Sequence, residues 1–142
     1  MRLNAFFLAD HAEAVNGKLY VTGGCWDRIF AVKLPTVHPH LSVAVSLLVP
    51  WQATNEKHEL ELALLDADGN SSLPGKIGSA FEVGRPPGWR PGDDSNLVAV
   101  FHLNMVPFNS KGTYTFLLTV DGTEIARTSL KVEEVPKGTI TG

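Results

Sequence analysis

The stretch Gly112-Thr113-Tyr114-Thr115-Phe116-Leu117-Leu118-Thr119-Val120-Asp121-Gly122-Thr123-Glu124-Ile125-Ala126-Arg127-Thr128-Ser129-Leu130-Lys131-Val132 decides the fold class. Tyr114, Phe116, Leu118 and Val120 recur at every second position, the period at which an extended chain returns side chains to one face. Ala126, Thr128, Leu130 and Val132 repeat the pattern after Asp121-Gly122. A type I′ turn needs positive φ at both central residues, which Gly adopts freely and Asp tolerates. Two alternating runs joined by Asp-Gly therefore read as an antiparallel hairpin.

The same reading extends upstream. Leu41, Val43, Val45, Leu47 and Val49 share one face of an interior strand that Pro50 ends. Leu60, Leu62 and Leu64 point inward from the next strand, with Glu59 and Glu61 in water, and Asp68-Gly69 closes it with turn chemistry. The connection 51–57 has room for one helical turn. Leu97, Ala99, Phe101 and Leu103 mark a further strand, and a short one is expected around 79–83 within the loosest region, 70–96. Near the N-terminus, 3–9 reads as a first strand apolar on both faces, followed by an Asn16-Gly17 turn, a strand over 18–22, a Gly23-Gly24 break and a third strand over 26–32. Pro35 and Pro39 close that third strand. About nine strands with turn signals every 8–12 residues or so predict an all-β chain, a single immunoglobulin-like, Greek-key β-sandwich without a disulfide. The sandwich is expected over residues 1–135, with 136–142 as a frayed C-terminal tail.

Ser110-Lys111-Gly112-Thr113-Tyr114 resembles the tyrosine corner of immunoglobulin-like domains, in which a Tyr hydroxyl bonds back to upstream backbone. Phe116 stands where an antibody domain carries its second cysteine.

Composition removes several function classes. The 142 residues carry a net charge of −3, with 12 Lys and Arg and no two of them adjacent. Phosphate neutralisation needs clustered cations, so neither nucleic acid nor an anionic membrane surface is an expected partner. The apolar run 43–49 is far short of the ~20 residues that span a bilayer. At the N-terminus the apolar run 5–9 ends at Asp10, short of the h-region of about 7–15 residues in a signal peptide. The lone Cys25 rules out an intramolecular disulfide and points to a reducing compartment, the cytoplasm.

No catalytic, cofactor-binding or metal site is expected. Asp66-Ala67-Asp68-Gly69-Asn70 opens like a calcium loop, but loop position twelve is Ile77 rather than Glu, so a hairpin turn is the better reading. His38-Pro39-His40 has the i, i+2 spacing of a chelating pair, yet His11, His58 and His102 lie far away in sequence, and zinc asks for three or four ligands. A solvated or capping pair is expected instead. Cys25, beside Trp26, reads as a small buried thiol. No nucleophile elbow, phosphate loop or dinucleotide fingerprint occurs.

Phe81-Glu82-Val83-Gly84-Arg85-Pro86-Pro87-Gly88-Trp89-Arg90-Pro91-Gly92-Asp93-Asp94 is the candidate partner-binding loop, with Arg85, Pro86, Pro87, Trp89 and Arg90 as its contact residues. Prolines lower the entropy cost of presenting a side chain, and Trp and Arg dominate binding hot spots. In the competing arrangement Trp89 folds over the end of the sandwich as a lid and both arginines pair with Asp93 and Asp94.

Asn16-Gly17-Lys18-Leu19-Tyr20-Val21-Thr22-Gly23-Gly24-Cys25-Trp26-Asp27-Arg28-Ile29, the segment 81–88 and the closing Gly-x-Tyr hairpin together resemble a family of uncharacterised bacterial proteins. These small stand-alone cytoplasmic chains occur often in actinobacteria, and the likeness runs from Leu3 to about Val132. The resemblance implies a stand-alone domain and carries no activity, substrate or cofactor. The expected function is a non-enzymatic interaction module, self-assembling with a second copy or docking a protein partner through a sheet edge or the Arg85–Arg90 loop. A component of a phage-like assembly is a third reading that fits the same features. The alternative is binding of a small ligand or carbohydrate at the loop end through Trp26, Trp51 or Trp89.

Overall fold

The alternating runs pair as nine strands in a computed structural model that describes residues 1–136. In chain order these are β1 (Arg2–Val15), β2 (Lys18–Gly24), β3 (Arg28–Ala31), β4 (Thr36–Val49), β5 (Lys57–Leu65), β6 (Ile77–Glu82), β7 (Ser95–Phe108), β8 (Gly112–Val120) and β9 (Thr123–Glu134). One sheet has the order β2-β1-β4-β7 and the other β3-β9-β8-β5-β6. Every pairing is antiparallel except β3 with β9. A single 3₁₀ turn, Trp51–Ala53, occupies the expected helical connection. No helix among the described residues is long and apolar enough to cross a membrane. Of the tail expected over 136–142, all but Pro136 lies outside the described residues.

The two sheets face each other across one core. Leu41, Val43, Val45 and Leu47 of β4 and Phe101 and Leu103 of β7 meet Leu60, Leu62 and Leu64 of β5 and Phe116 and Leu118 of β8. The β8–β9 hairpin turns on Asp121 at φ 51° and Gly122 at φ 80°, the positive values that Asp-Gly was expected to supply. At the other end of β8 the Tyr114 hydroxyl donates to the Ser110 carbonyl at 2.7 Å, and its ring meets Phe108 edge-on.

Three expectations need correction. Gly23-Gly24 does not break the chain, because β2 runs on through Gly24, which pairs with Ala9. Pro39 does not close a strand; it lies inside β4, opposite Met105 of β7. Met105 takes φ 54°, and the inward phase slips there from Phe101 and Leu103 to Val106 and Phe108. Cys25 is exposed rather than buried, because the chain leaves Gly23 (φ 63°) and turns outward with Cys25 at φ 66°. A side chain on Gly23 would meet the Asp10 carboxylate and hold a φ that L residues rarely adopt, so this turn favours glycine.

β1 is twice the expected length, and its halves differ in partner. Residues up to Ala9 pair with β4, while Ala9 onward pairs with β2. Beyond Ala9 the β1–β2 hairpin curls over the outer face of its own sheet. There Ala12 and Leu19 pack with Phe7, Ala9, Ala44 and Val100 in a second, smaller apolar cluster.

A buried histidine ties the turns of the second sheet together. His58 Nδ1 lies 2.7 Å from Asp121 Oδ2 and Nε2 lies 2.7 Å from the Ala53 carbonyl. Two acceptors require a proton on both nitrogens, so the folded state holds an imidazolium. The Asp121 carboxylate, then the Ala53 carbonyl, raise the pKa of His58 against the opposing effect of burial. The same bond, with the Glu59 N–H, lowers that of Asp121. A raised pKa contributes stability that is fully present below the unfolded value of 6.5 and lost as pH rises through the folded one. A lowered carboxylate pKa contributes above its unfolded value of 3.8 and is lost as pH falls through the folded one. The urea midpoint is therefore expected to fall as pH rises past 6.5, with a flatter decline in Asp121→Asn. Identical alkaline slopes in the two proteins would contradict this clasp.

Candidate functional site

The expected docking residues Arg85, Pro86, Pro87, Trp89 and Arg90 lie together on the loop joining β6 to β7. Arg85 turns back onto the 3₁₀ turn, its guanidinium carbon 4.0 Å from the centre of the Trp51 ring. Its Nη2 donates to the Trp51 carbonyl at 2.9 Å and its Nε to the Thr54 hydroxyl. A planar cation can stack and donate at once, which a lysine cannot do. Further along, the Trp89 N–H reaches the Pro86 carbonyl at 3.2 Å. The Asp93 carboxylate accepts the Arg90 backbone N–H at 2.8 Å, and the Asp93 N–H returns to the Arg90 carbonyl at 3.0 Å. Asp94 pairs with Arg2 at 2.6 Å.

The arginine side chains therefore do not pair with Asp93 and Asp94, as the lid arrangement required. Asp93 holds backbone, and Asp94 fastens the loop to β1. Trp89 is half-buried, while Pro86, Pro87 and Arg90 are exposed. Arg85, Pro86, Trp89, Asp94 and Asn96 line an open cleft of about 640 Å³, and Gly17 at the tip of the β1–β2 hairpin forms part of its wall. That volume falls in the range of about 300–1,000 Å³ typical of ligand clefts.

Three of the five histidines meet in space. The phase slip at Pro39 sends His38 and His40 to different neighbourhoods, so they do not form a chelating pair. His38 lies beside Trp26, ring centres 5.8 Å apart, where burial pushes its pKa below the ordinary value. His40 sits on the outer face of β4, and His102 of β7 is a diagonal neighbour there, since Ser42 pairs with His102 and His40 with Asn104. The curl of β1 brings His11 over both. Ring centres are 5.2 Å apart for His11–His40 and His11–His102, and 5.8 Å for His40–His102. One nitrogen from each ring lies within 4.8 Å of the others. No sequence spacing encodes this cluster; it follows from the β4–β7 register and the bend of β1.

The remaining motifs are structural. Asp66 Oδ1 accepts the N–H groups of Asp68 and Asn70, each at 2.9 Å, which is the turn expected for that segment. His58 and Asp121 form a dyad, but both His58 ring nitrogens are already hydrogen-bonded.

Residues 4–133 match a family of unknown function (DUF6941). No curated protein matches the chain. Among solved structures it is similar to Pseudomonas fluorescens alkylpurine DNA glycosylase AlkC bound to DNA containing an abasic site analog, at 11% identity and a TM-score of 0.46. The similarity covers 90% of this chain and only 30% of that one, and it carries no inference about activity.

Arg85 is expected to hold the loop in place. A partly exposed cation–π contact contributes about 0.5–1 kcal/mol and its charged hydrogen bonds add to this. Arg85→Ala should make chymotryptic cleavage after Trp89 severalfold faster, and Arg85→Lys should restore only part of the protection. Equal rates in wild type and Arg85→Ala would contradict this.

Proposed function

The chain belongs to this family of unknown function, and from that premise we propose that it is an immunoglobulin-like, non-enzymatic domain that docks an extended, acidic segment of a partner protein beside Trp89. The observation that carries the proposal is the fastening of the 84–94 loop. Arg85, Asp93 and Asp94 are all engaged in holding it, so Trp89 and the Arg90 side chain are presented at little further entropy cost. Among the described residues, no carboxylate lies within ion-pair distance of the Arg90 guanidinium. An acidic partner group would complete it, with the Trp89 indole as the apolar anchor.

Strand order supports the immunoglobulin-like reading. β4 pairs with both β1 and β7, β8 lies between β5 and β9, and β3 runs parallel to β9. The Tyr114–Ser110 bond supports it further. The commitment of the His58–Asp121 dyad to structure supports a non-enzymatic role. The free thiol Cys25 favours a reducing, cytoplasmic setting.

Selection of displayed random peptides on the wild-type chain tests the proposal. Selected peptides are expected to carry an acidic residue and to bind Trp89→Ala at least tenfold more weakly, about 1.4 kcal/mol. Arg90→Glu should weaken them similarly. Failure to select any ligand, or ligands indifferent to Trp89, would overturn it, as would exclusive preference for neutral sugars.

A further inference from the structure

We propose that His11, His40 and His102 form a binding site for a divalent transition-metal ion of the zinc class, on the outer face of the first sheet and independent of the cleft beside Trp89. Imidazole nitrogens suit zinc, copper and nickel, and three of them with one open position match a familiar donor set for zinc. The three rings come from β1, β4 and β7, two exposed and His40 half-buried, so an ion can reach them from solvent.

The distances fit an unmetallated site that closes on its ion. Tetrahedral zinc, with bonds of about 2.0–2.1 Å, places its ligand nitrogens roughly 3.3 Å apart. The histidine nitrogens lie within 4.8 Å of one another, so no pair has to close by more than about 1.5 Å, within reach of side-chain rotation.

Outer contacts prepare the rings. His40 Nδ1 lies 2.7 Å from Asn104 Oδ1, and His11 Nε2 lies 3.2 Å from Glu13 Oε1. With a proton on each of those nitrogens, His40 Nε2 and His11 Nδ1 present lone pairs. These two atoms face each other at 3.0 Å. Without metal a proton bridges them as a hydrogen bond, and an ion bound to both nitrogens displaces that proton. A carboxylate such as that on His11 is a partner that metal-binding histidines characteristically have, since it fixes the tautomer and raises ligand basicity. On the third ring the buried Ser42 hydroxyl lies 3.1 Å from His102 Nδ1 and orients it from beneath.

Such an ion would join the curled half of β1 to the sheet beneath it. His11 follows closely on Ala9, the last β1 residue paired with β4, and the other two ligands belong to β4 and β7. Metal binding to the folded state would therefore raise thermal stability.

The test uses the full chain without a histidine tag, freed of metal by chelation and titrated with Zn²⁺ by calorimetry. One ion per chain is expected, together with a higher melting temperature and, with Co²⁺, the intense visible bands of a tetrahedral site. His102→Ala and His11→Ala, both at exposed positions, should abolish these signals while their metal-free circular dichroism matches wild type. Glu13→Gln should weaken binding by about tenfold, as loss of such an outer partner does. No binding by wild type beyond that of His102→Ala would overturn the proposal. So would one-to-one binding that survives both histidine substitutions, since the ion would then sit elsewhere.

Discussion

β4 is buried on both faces, and the rest of the architecture answers that constraint. Leu41, Val43, Val45 and Leu47 face the shared core, while Ser42, Ala44 and Ser46 on the opposite face are also inaccessible. The second sheet covers only the first of these faces. The other is covered by the chain's own N-terminal hairpin, which is why β1 exceeds the length its pairing with β4 requires. Alanines at Ala9, Ala12 and Ala44 let the hairpin approach closely. The two buried hydroxyls of this β4 face are satisfied locally: Ser46 accepts from Asn4 and donates to Asn96, and Ser42 lies against His102.

Both candidate sites follow from that fold-back. Gly17 at the hairpin tip reaches the wall of the Trp89 cleft, and His11 near the bend lies over His40 and His102. The hairpin thus links two regions with different chemistry. At the cleft Arg85 fixes the loop, and Trp89 and the Arg90 side chain are left for the proposed docking. At the bend three imidazole rings converge, each with one nitrogen hydrogen-bonded to a neighbouring side chain.

Much of this was legible in the sequence because it depends on local periodicity. The inward faces of β4, β5 and β8 follow from strict alternation, and the β8–β9 turn from Asp121-Gly122, which needs no tertiary information. The composition of the loop at 84–94 likewise marked it out. What fastens that loop was not legible, because Arg85 and Trp51 are 34 residues apart. The histidine cluster was hidden for a stronger reason. Its members are separated by 29 and 62 residues, and they meet only once the β4–β7 register and the bend of β1 are known. His38-Pro39-His40 drew attention to a neighbouring pair, but the phase slip opposite Met105 separates those two rings. Alternation likewise predicts one buried face and cannot tell that Ser42, Ala44 and Ser46 are covered from outside.

The fold-back of the β1–β2 hairpin onto β4 is the central claim, and the methyl groups of Ala12 and Ala44 report on it directly. Selective alanine methyl labelling and a three-dimensional nuclear Overhauser experiment would measure their proximity in solution. A strong Ala12–Ala44 cross-peak, accompanied by contacts from Leu19 and Val100 to the same alanine cluster, is the predicted result. Its absence, with Ala44 exchanging magnetisation with solvent instead, would mean that the outer face of β4 is open and that the His11 cluster does not assemble.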